Sequence, residues 1–189
     1  MAYMVLGIVL FLGAHFVPMA PEFRSGLQAR LGAQAYRAGF SIVSLIGLVL
    51  LIYGYGQARP ESPVVWTPPE ALRHLAMGLM VFAFILLVAA YVPGKIREKV
   101  RHPMIAGVKV WAFAHLIANG RFADIVLFGA FLVWAIVDRV SLKRREAAGL
   151  VTVTGGPAQN DIVSLVVGIT LYVGFLLWLH RLLIGVPLL

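Results

Sequence analysis

Cysteine is absent from the chain, which excludes a disulfide, a thiolate metal site, a Cys-ligated haem and a cysteine nucleophile. Metal chemistry is left to five histidines, the carboxylates and methionine. Acidic residues are scarce: eight Asp and Glu stand against sixteen Lys and Arg, a formal charge of +8. Also missing are Gly-x-Gly-x-x-Gly, Gly-x-x-x-x-Gly-Lys-Ser and His-Glu-x-x-His, which removes the commonest nucleotide and zinc-protease chemistries. No internal repeat and no low-complexity tract appears. No lipidation motif is present, and no Lys or Arg precedes the first apolar run, so that run reads as a retained span rather than a secretory leader.

What the chain does have is hydrocarbon. It is 61% hydrophobic and 13% charged over 189 residues, with a mean hydropathy of +0.91. Several apolar runs reach the roughly 20 residues needed to cross ~30 Å of lipid. The expectation is a polytopic, all-α membrane helix bundle of about six transmembrane helices, a single domain over residues 1–189 with no room for a soluble one. The basic excess is parcelled into short loops instead of covering a face, which argues for membrane topology and against a nucleic-acid partner.

In chain order, span one runs from about Ala2 to Val17, closed by Pro18 and Pro21, with Gly7, Phe11 and His15 on one face at i, i+4 spacing. The stretch Met19 to Tyr36 reads as a short surface helix with Phe23, Leu27 and Leu31 along one side. Span two covers about Arg37 to Tyr55, with Ser41, Ser44 and Gly47 small enough for close helix contact. Gln57 to Pro69 holds four prolines and reads as an extended loop. Span three covers about Glu70 to Val92, and Lys95 to Arg101 is the most basic loop.

The fourth element, Pro103 to Asn119, is short for a crossing and carries Lys109 in its middle; it either crosses shielded by neighbours or enters only part way. Span five covers about Arg121 to Val140, followed by Lys143-Arg144-Arg145, and span six about Asp161 to Leu183. Placing the three basic regions in the cytoplasm alternates correctly over six crossings and puts both termini on the opposite, periplasmic side.

Chemistry concentrates in the fourth element. Entered by Pro103, it stacks Trp111, His115 and Asn119 at successive i, i+4 steps and stops at Asn119-Gly120. Imidazoles at membrane depth are functional candidates by default, and neutral imidazoles on apolar helices are axial ligands for haem iron. The alternative for each of His15, His74, His102, His115 and His180 is a buried hydrogen-bond partner. Asp124 and Asp138 sit near span ends and read as interfacial. They are about 21 Å apart along one helix, too far to act as a catalytic pair.

The set Arg101-His102-Pro103, Gly107, Trp111, His115, Asn119 and Gly120, with His15 and the Leu31-Gly32, Tyr36-Arg37 and Phe40-Ser41 pairs, resembles the NnrU family of bacterial membrane proteins. The resemblance spans about Gly7 to Trp134. It implies a bacterial inner-membrane protein linked to nitrite and nitric oxide reduction, and kinship with plant zeta-carotene isomerase, a membrane enzyme that isomerises an apolar polyene using b-type haem. On that kinship the metal ligands correspond to His15 and His115. His102, Trp111 and Asn119 join them as cofactor-binding candidates, with the lipid bilayer and an apolar, lipid-soluble substrate as partners.

The depth reading stands against this pair, since six crossings put His15 toward the cytoplasmic side and His115 toward the other. A non-enzymatic membrane factor or haem-based sensor, acting through a protein partner, is the second reading. Arg101-His102-Pro103 with Gly107 is also similar to isoprenylcysteine carboxyl methyltransferases, which use S-adenosylmethionine. Their acidic C-terminal motif has no counterpart, since Glu146 stands alone before a Gly- and Thr-containing loop.

Overall fold

The computed structural model describes residues 1–188 and is helical almost throughout. Helices α1 (Ala2–Phe16), α3 (Ala33–Glu61), α4 (Glu70–Ala89), α7 (Phe122–Ala147) and α8 (Gln159–Ile184) are long and apolar enough to cross a membrane. Shorter helices α2 (Pro21–Leu31), α5 (Lys95–Val100) and α6 (Pro103–Ala118) complete the set. Large apolar side chains such as Leu45, Ile52, Ile162 and Leu182 are exposed along the spans. Water would penalise such a surface, whereas lipid solvates it, so the chain is a multi-pass membrane protein.

The chain divides into two compact units, one of Met1–Pro68 with Asn119–Arg144, the other of Pro69–Ala118 with Arg145–Leu189. In unit 1, α1 lies against α3 with backbones in contact. A Cβ on Gly7 would fall 2.3 Å from Leu51 N, one on Gly47 2.6 Å from Phe11 N, and one on Gly54 2.2 Å from Met4 N. Hydrocarbon gives no hydrophobic drive between spans, so such close approach supplies the dispersion contact that holds them. Met4, Ile8, Leu12 and Leu51 are buried along the seam.

Helix α3 overruns the expected span. It continues through Arg59-Pro60 to Glu61, and the extended segment begins only at Ser62. A proline so near a helix end forfeits one main-chain bond, and buried Ala58 together with the ion pair of Arg59 holds the last turn in place. Helix α7 overruns too: the Lys143-Arg144-Arg145 cluster lies on its final turns rather than in a loop.

In unit 2, α4 packs between α6 and α8, and Gly168 lets α8 approach Ile85 closely. The basic stretch after Pro93-Gly94 is helical, not a loop, because Asp161 accepts hydrogen bonds from the main-chain N–H groups of Lys95 (3.0 Å) and Ile96 (2.9 Å). A carboxylate from α8 thus caps α5. Asn160 anchors the same corner, its Nδ2 donating to Pro93 O at 2.7 Å. Helix α8 widens to a π stretch over Phe175–Leu179 before His180.

Candidate functional site

Helix α1 presents His15 in its last turn, half-buried, with Nδ1 2.6 Å from Phe11 O. A carbonyl can only accept, so Nδ1 carries the proton and the lone pair of the neutral ring resides on Nε2. Aromatic rings enclose it: Phe11 at 4.3 Å between centroids, Phe40 at 5.2 Å and Trp134 edge-on at 5.9 Å. In unit 1 three buried polar atoms, Nε1 of Trp134 in this ring system and, elsewhere, Ser44 Oγ and Arg139 Nη1, have no hydrogen-bond partner among the described residues.

The same arrangement recurs in unit 2. His115 Nδ1 is 2.8 Å from Trp111 O, one turn earlier on α6, and the two rings stack at 5.2 Å. His115 therefore also bears its proton on Nδ1 and its lone pair on Nε2. Trp111 lines an open apolar groove of about 130 Å³ between α4 and α6, together with Met80, Phe84, Met104 and Val108. That volume is near the ~150 Å³ cavity known to hold benzene, so it suits a few carbons of a hydrocarbon and not a porphyrin. His180 makes a third bond of this type, to Val186 O at 2.7 Å. His74 is exposed on α4.

His102 is built differently. Its Nε2 faces Glu146 Oε1, and Arg101 Nε donates to Glu146 Oε2 at 2.8 Å. Glu146, expected to stand alone, is thus the centre of a cluster with the Arg-His-Pro motif, mostly buried at 12% exposure. Arg101 is held at φ +67°, a left-handed conformation that side chains rarely adopt outside glycine. The carboxylate grips the residue at that bend and the one after it.

Asn119 follows α6 and belongs to unit 1, and Gly120 has a reason other than capping. Its carbonyl accepts from Val65 N (2.8 Å) and Trp66 N (3.2 Å), and a Cβ would lie 1.8 Å from Trp66 O. The close passage of another strand of backbone, not a positive φ, requires glycine here.

Unit 1 also contains a charged cluster that the sequence reading missed. Asp124, expected at the interface, is only 1% exposed. Tyr55 Oη donates to its Oδ1 at 2.6 Å and Arg59 Nε at 3.3 Å, while the N–H of Arg121 reaches Oδ2 at 3.3 Å. Ser62 Oγ accepts from Ala123 N at 2.8 Å. Together Asp124 and Ser62 make both halves of a capping box for α7, with the serine supplied from the end of α3. Every oxygen is engaged, so this cluster fixes the helix start. Asp138 is buried as well. The signal available in sequence was Tyr55 and Arg59 at i, i+4 and an Asp in the first turn of α7.

Among the described residues no group of three or more His, Asp or Glu could hold a bare metal ion. Neither a curated protein nor a solved structure matches the chain. The family model of the NnrU protein does, over residues 3–188. That match takes in both units and every histidine discussed above, and by it the chain belongs to the NnrU family.

Proposed function

We propose that this multi-pass membrane protein of the bacterial inner membrane, with both termini periplasmic, binds b-type haem, with His15 of unit 1 and His115 of unit 2 each taken as a ligand candidate from the family resemblance. The observation that carries the reading is the main-chain carbonyl bond at Nδ1 of each ring, 2.6 Å for His15 and 2.8 Å for His115. Axial and metal-bound histidines are commonly held in this way, because the bond fixes ring orientation and tautomer and raises the basicity of Nε2. The donor chemistry suits an axial ligand at each of these rings; His180 has the same kind of bond, to Val186 O, so it is the family resemblance that singles out His15 and His115. His102, whose Nε2 is taken by Glu146, lacks this preparation.

Bound haem would supply redox and iron-coordination chemistry. In unit 1 the chain orients the His15 imidazole and shields it from water with Phe11, Phe40 and Trp134; in unit 2 it orients the His115 imidazole and offers a hydrocarbon-sized groove beside Trp111. This suits isomerisation of an apolar polyene, and equally a haem sensor or membrane factor in nitrite and nitric oxide reduction. Purified protein should show a Soret band that shifts on reduction. His15→Ala and His115→Ala should each abolish it, and His180→Ala should leave it intact. A haem-replete preparation without the band, or a band lost only with His102 or His74, refutes the assignment.

The Glu146 cluster favours one alternative. It gives the Arg-His-Pro motif an acidic partner, which the methyltransferase reading had lacked. Calorimetry with S-adenosylmethionine decides it: heat of binding lost in Glu146→Gln supports that reading, and no heat in the wild type removes it.

A further inference from the structure

The groove of unit 2 ends at a charged corner. Met80, Phe84 and Leu87 of α4 line it opposite Met104, Val108 and Trp111 of α6, and a Cβ on Gly107 would lie 3.3 Å from Ala83 O, so the helices touch along its floor. Within a bilayer such a lining takes hydrocarbon and not water. From Met104 to Trp111 the helix rises about 10 Å, enough for the upper part of an acyl chain laid along α6.

Leu87 and Met104 are the lining residues nearest the connection between the two helices. There Arg97 of α5, part-buried, donates from Nη1 to Ala90 O at 3.2 Å, about one turn past Leu87. Tyr91 extends the stripe of Phe84 and Leu87 by a further turn and is 74% exposed just beyond the end of α4. Aromatic and basic side chains at a span end mark the headgroup level.

The acidic groups of this corner are already engaged. Asp161 accepts from the N–H groups of Lys95 and Ile96, Glu98 from Lys95 Nζ, and Glu146 from Arg101. Arg97 has only the neutral carbonyl, with no carboxylate at ion-pair distance among the described residues. A guanidinium carries several donors and one is used, so the rest face outward for an anionic oxygen, phosphate above all. Basic pockets between helices at this level suit anionic headgroups. A polyene would satisfy the groove and leave Arg97 unmatched, and a free phosphate would do the reverse.

We infer that Arg97 and the α4–α6 groove form a site for one anionic phospholipid of the surrounding bilayer, with its phosphate at the guanidinium and one acyl chain running from Leu87 towards Trp111. The site involves no histidine and stands whether or not haem is bound. Trp111 reports on it directly. The full-length protein is reconstituted in phosphatidylcholine vesicles, and rising fractions of the lipid are replaced by phosphatidylglycerol or phosphatidylcholine brominated at mid-chain, which quenches indole fluorescence on contact. The Trp111 signal is the difference between each protein and the same protein carrying Trp111→Phe.

In the wild type, brominated phosphatidylglycerol should quench this signal with an affinity about fivefold above that of brominated phosphatidylcholine, the scale of one basic side chain beside an anionic headgroup. Arg97→Gln should bring the two lipids to parity with the phosphatidylcholine curve unchanged, and Arg97→Lys should keep part of the preference. Arg24→Gln, which removes an exposed charge from α2 in unit 1, should leave the preference intact. Val108→Phe should fill the groove and weaken quenching by both lipids. Parity in the wild type overturns the site, because the groove then takes any hydrocarbon alike. An equal fall in Arg24→Gln and Arg97→Gln overturns it too, since the preference is then general attraction to a negative surface. Undiminished quenching in Val108→Phe shows that no chain lies in the groove.

Discussion

The two units use the same residue types to opposite ends. In unit 1 polar groups are sunk among helices: Asp124 is sealed under Tyr55 and Arg59, and Trp134, Ser44 and Arg139 each keep a buried polar atom without a hydrogen-bond partner among the described residues. In unit 2 the acidic groups Glu146 and Asp161 serve the loop ends, tying the bend at Arg101 and capping α5, while the space beside Trp111 is purely apolar. Unit 1 therefore buries polar and ionic groups, whereas unit 2 lines its groove with apolar side chains. His15 and His115 share one tautomer but not one setting, so the environment decides what each imidazole can do.

The backbone seam of unit 1 should be the most fragile feature of the two. Gly54→Leu would drive a Cβ into Met4 N at 2.2 Å, whereas Gly56, two residues on, has nothing within 4 Å. A backbone cannot rotate away as a side chain can, so Gly54→Leu should cost more than about 4 kcal/mol, enough to lose the folded protein. Gly56→Leu should match or exceed wild-type thermal stability. Monodispersity in detergent and the melting midpoint give the comparison, and a well-folded Gly54→Leu would show that the seam is looser than described.

Carboxylates come next, and here the units separate. Asp124→Asn leaves Arg59 without its partner; since the Arg59 side chain is 31% exposed, the cost should be about 2–3 kcal/mol, below that of a fully buried pair. Glu146→Gln should cost less than Asp124→Asn, because the Arg101 side chain is half in solvent and the amide still accepts one bond. Chemical unfolding in one detergent ranks them. An inverted order would mean that the bend at Arg101 stores more strain than the start of α7.

Much of this was legible from residues alone. The apolar runs located α1, α4, α6 and α8 to within a few residues, since period and hydropathy report what a helix dissolves in. Hydropathy ends α3 at about Tyr55 and α7 at about Val140, whereas the helices run on to Glu61 and Ala147, because hydropathy marks the end of the lipid and not of the helix. His15, His102 and His115 stood out by type, yet the carbonyl bonds that set their tautomers were not readable. Asp124 looked interfacial and Glu146 solitary because their partners are distant, Tyr55 by 69 residues and His102 by 44. Pairing at that separation follows from packing, which no local pattern encodes.

Within unit 2, the corner at α5 offers a finer comparison between a cap and a surface ion pair. Asp161→Ala removes the acceptor for two main-chain N–H groups and should cost about 1 kcal/mol.

The smallest effect should be that of Glu98→Gln. Lys95 Nζ lies 2.8 Å from Glu98 Oε2, but both side chains are more than half exposed, so water and salt screen the pair. The hydrogen bond from Lys95 to Glu98, followed by the attraction of that carboxylate, raises the Lys95 ammonium above its ordinary 10.5. A raised lysine stabilises the folded state fully below the unfolded value of 10.5, and that contribution fades as pH climbs through the folded value. The wild type and Glu98→Gln should therefore unfold almost together at neutral pH, and any gap between them should close in strong alkali. A gap that widens as pH rises past 10.5, or that persists unchanged in molar salt, would mean that Glu98 acts through something other than Lys95, with Gly155 the nearest candidate because a Cβ there would lie 2.8 Å from Glu98 Oε2.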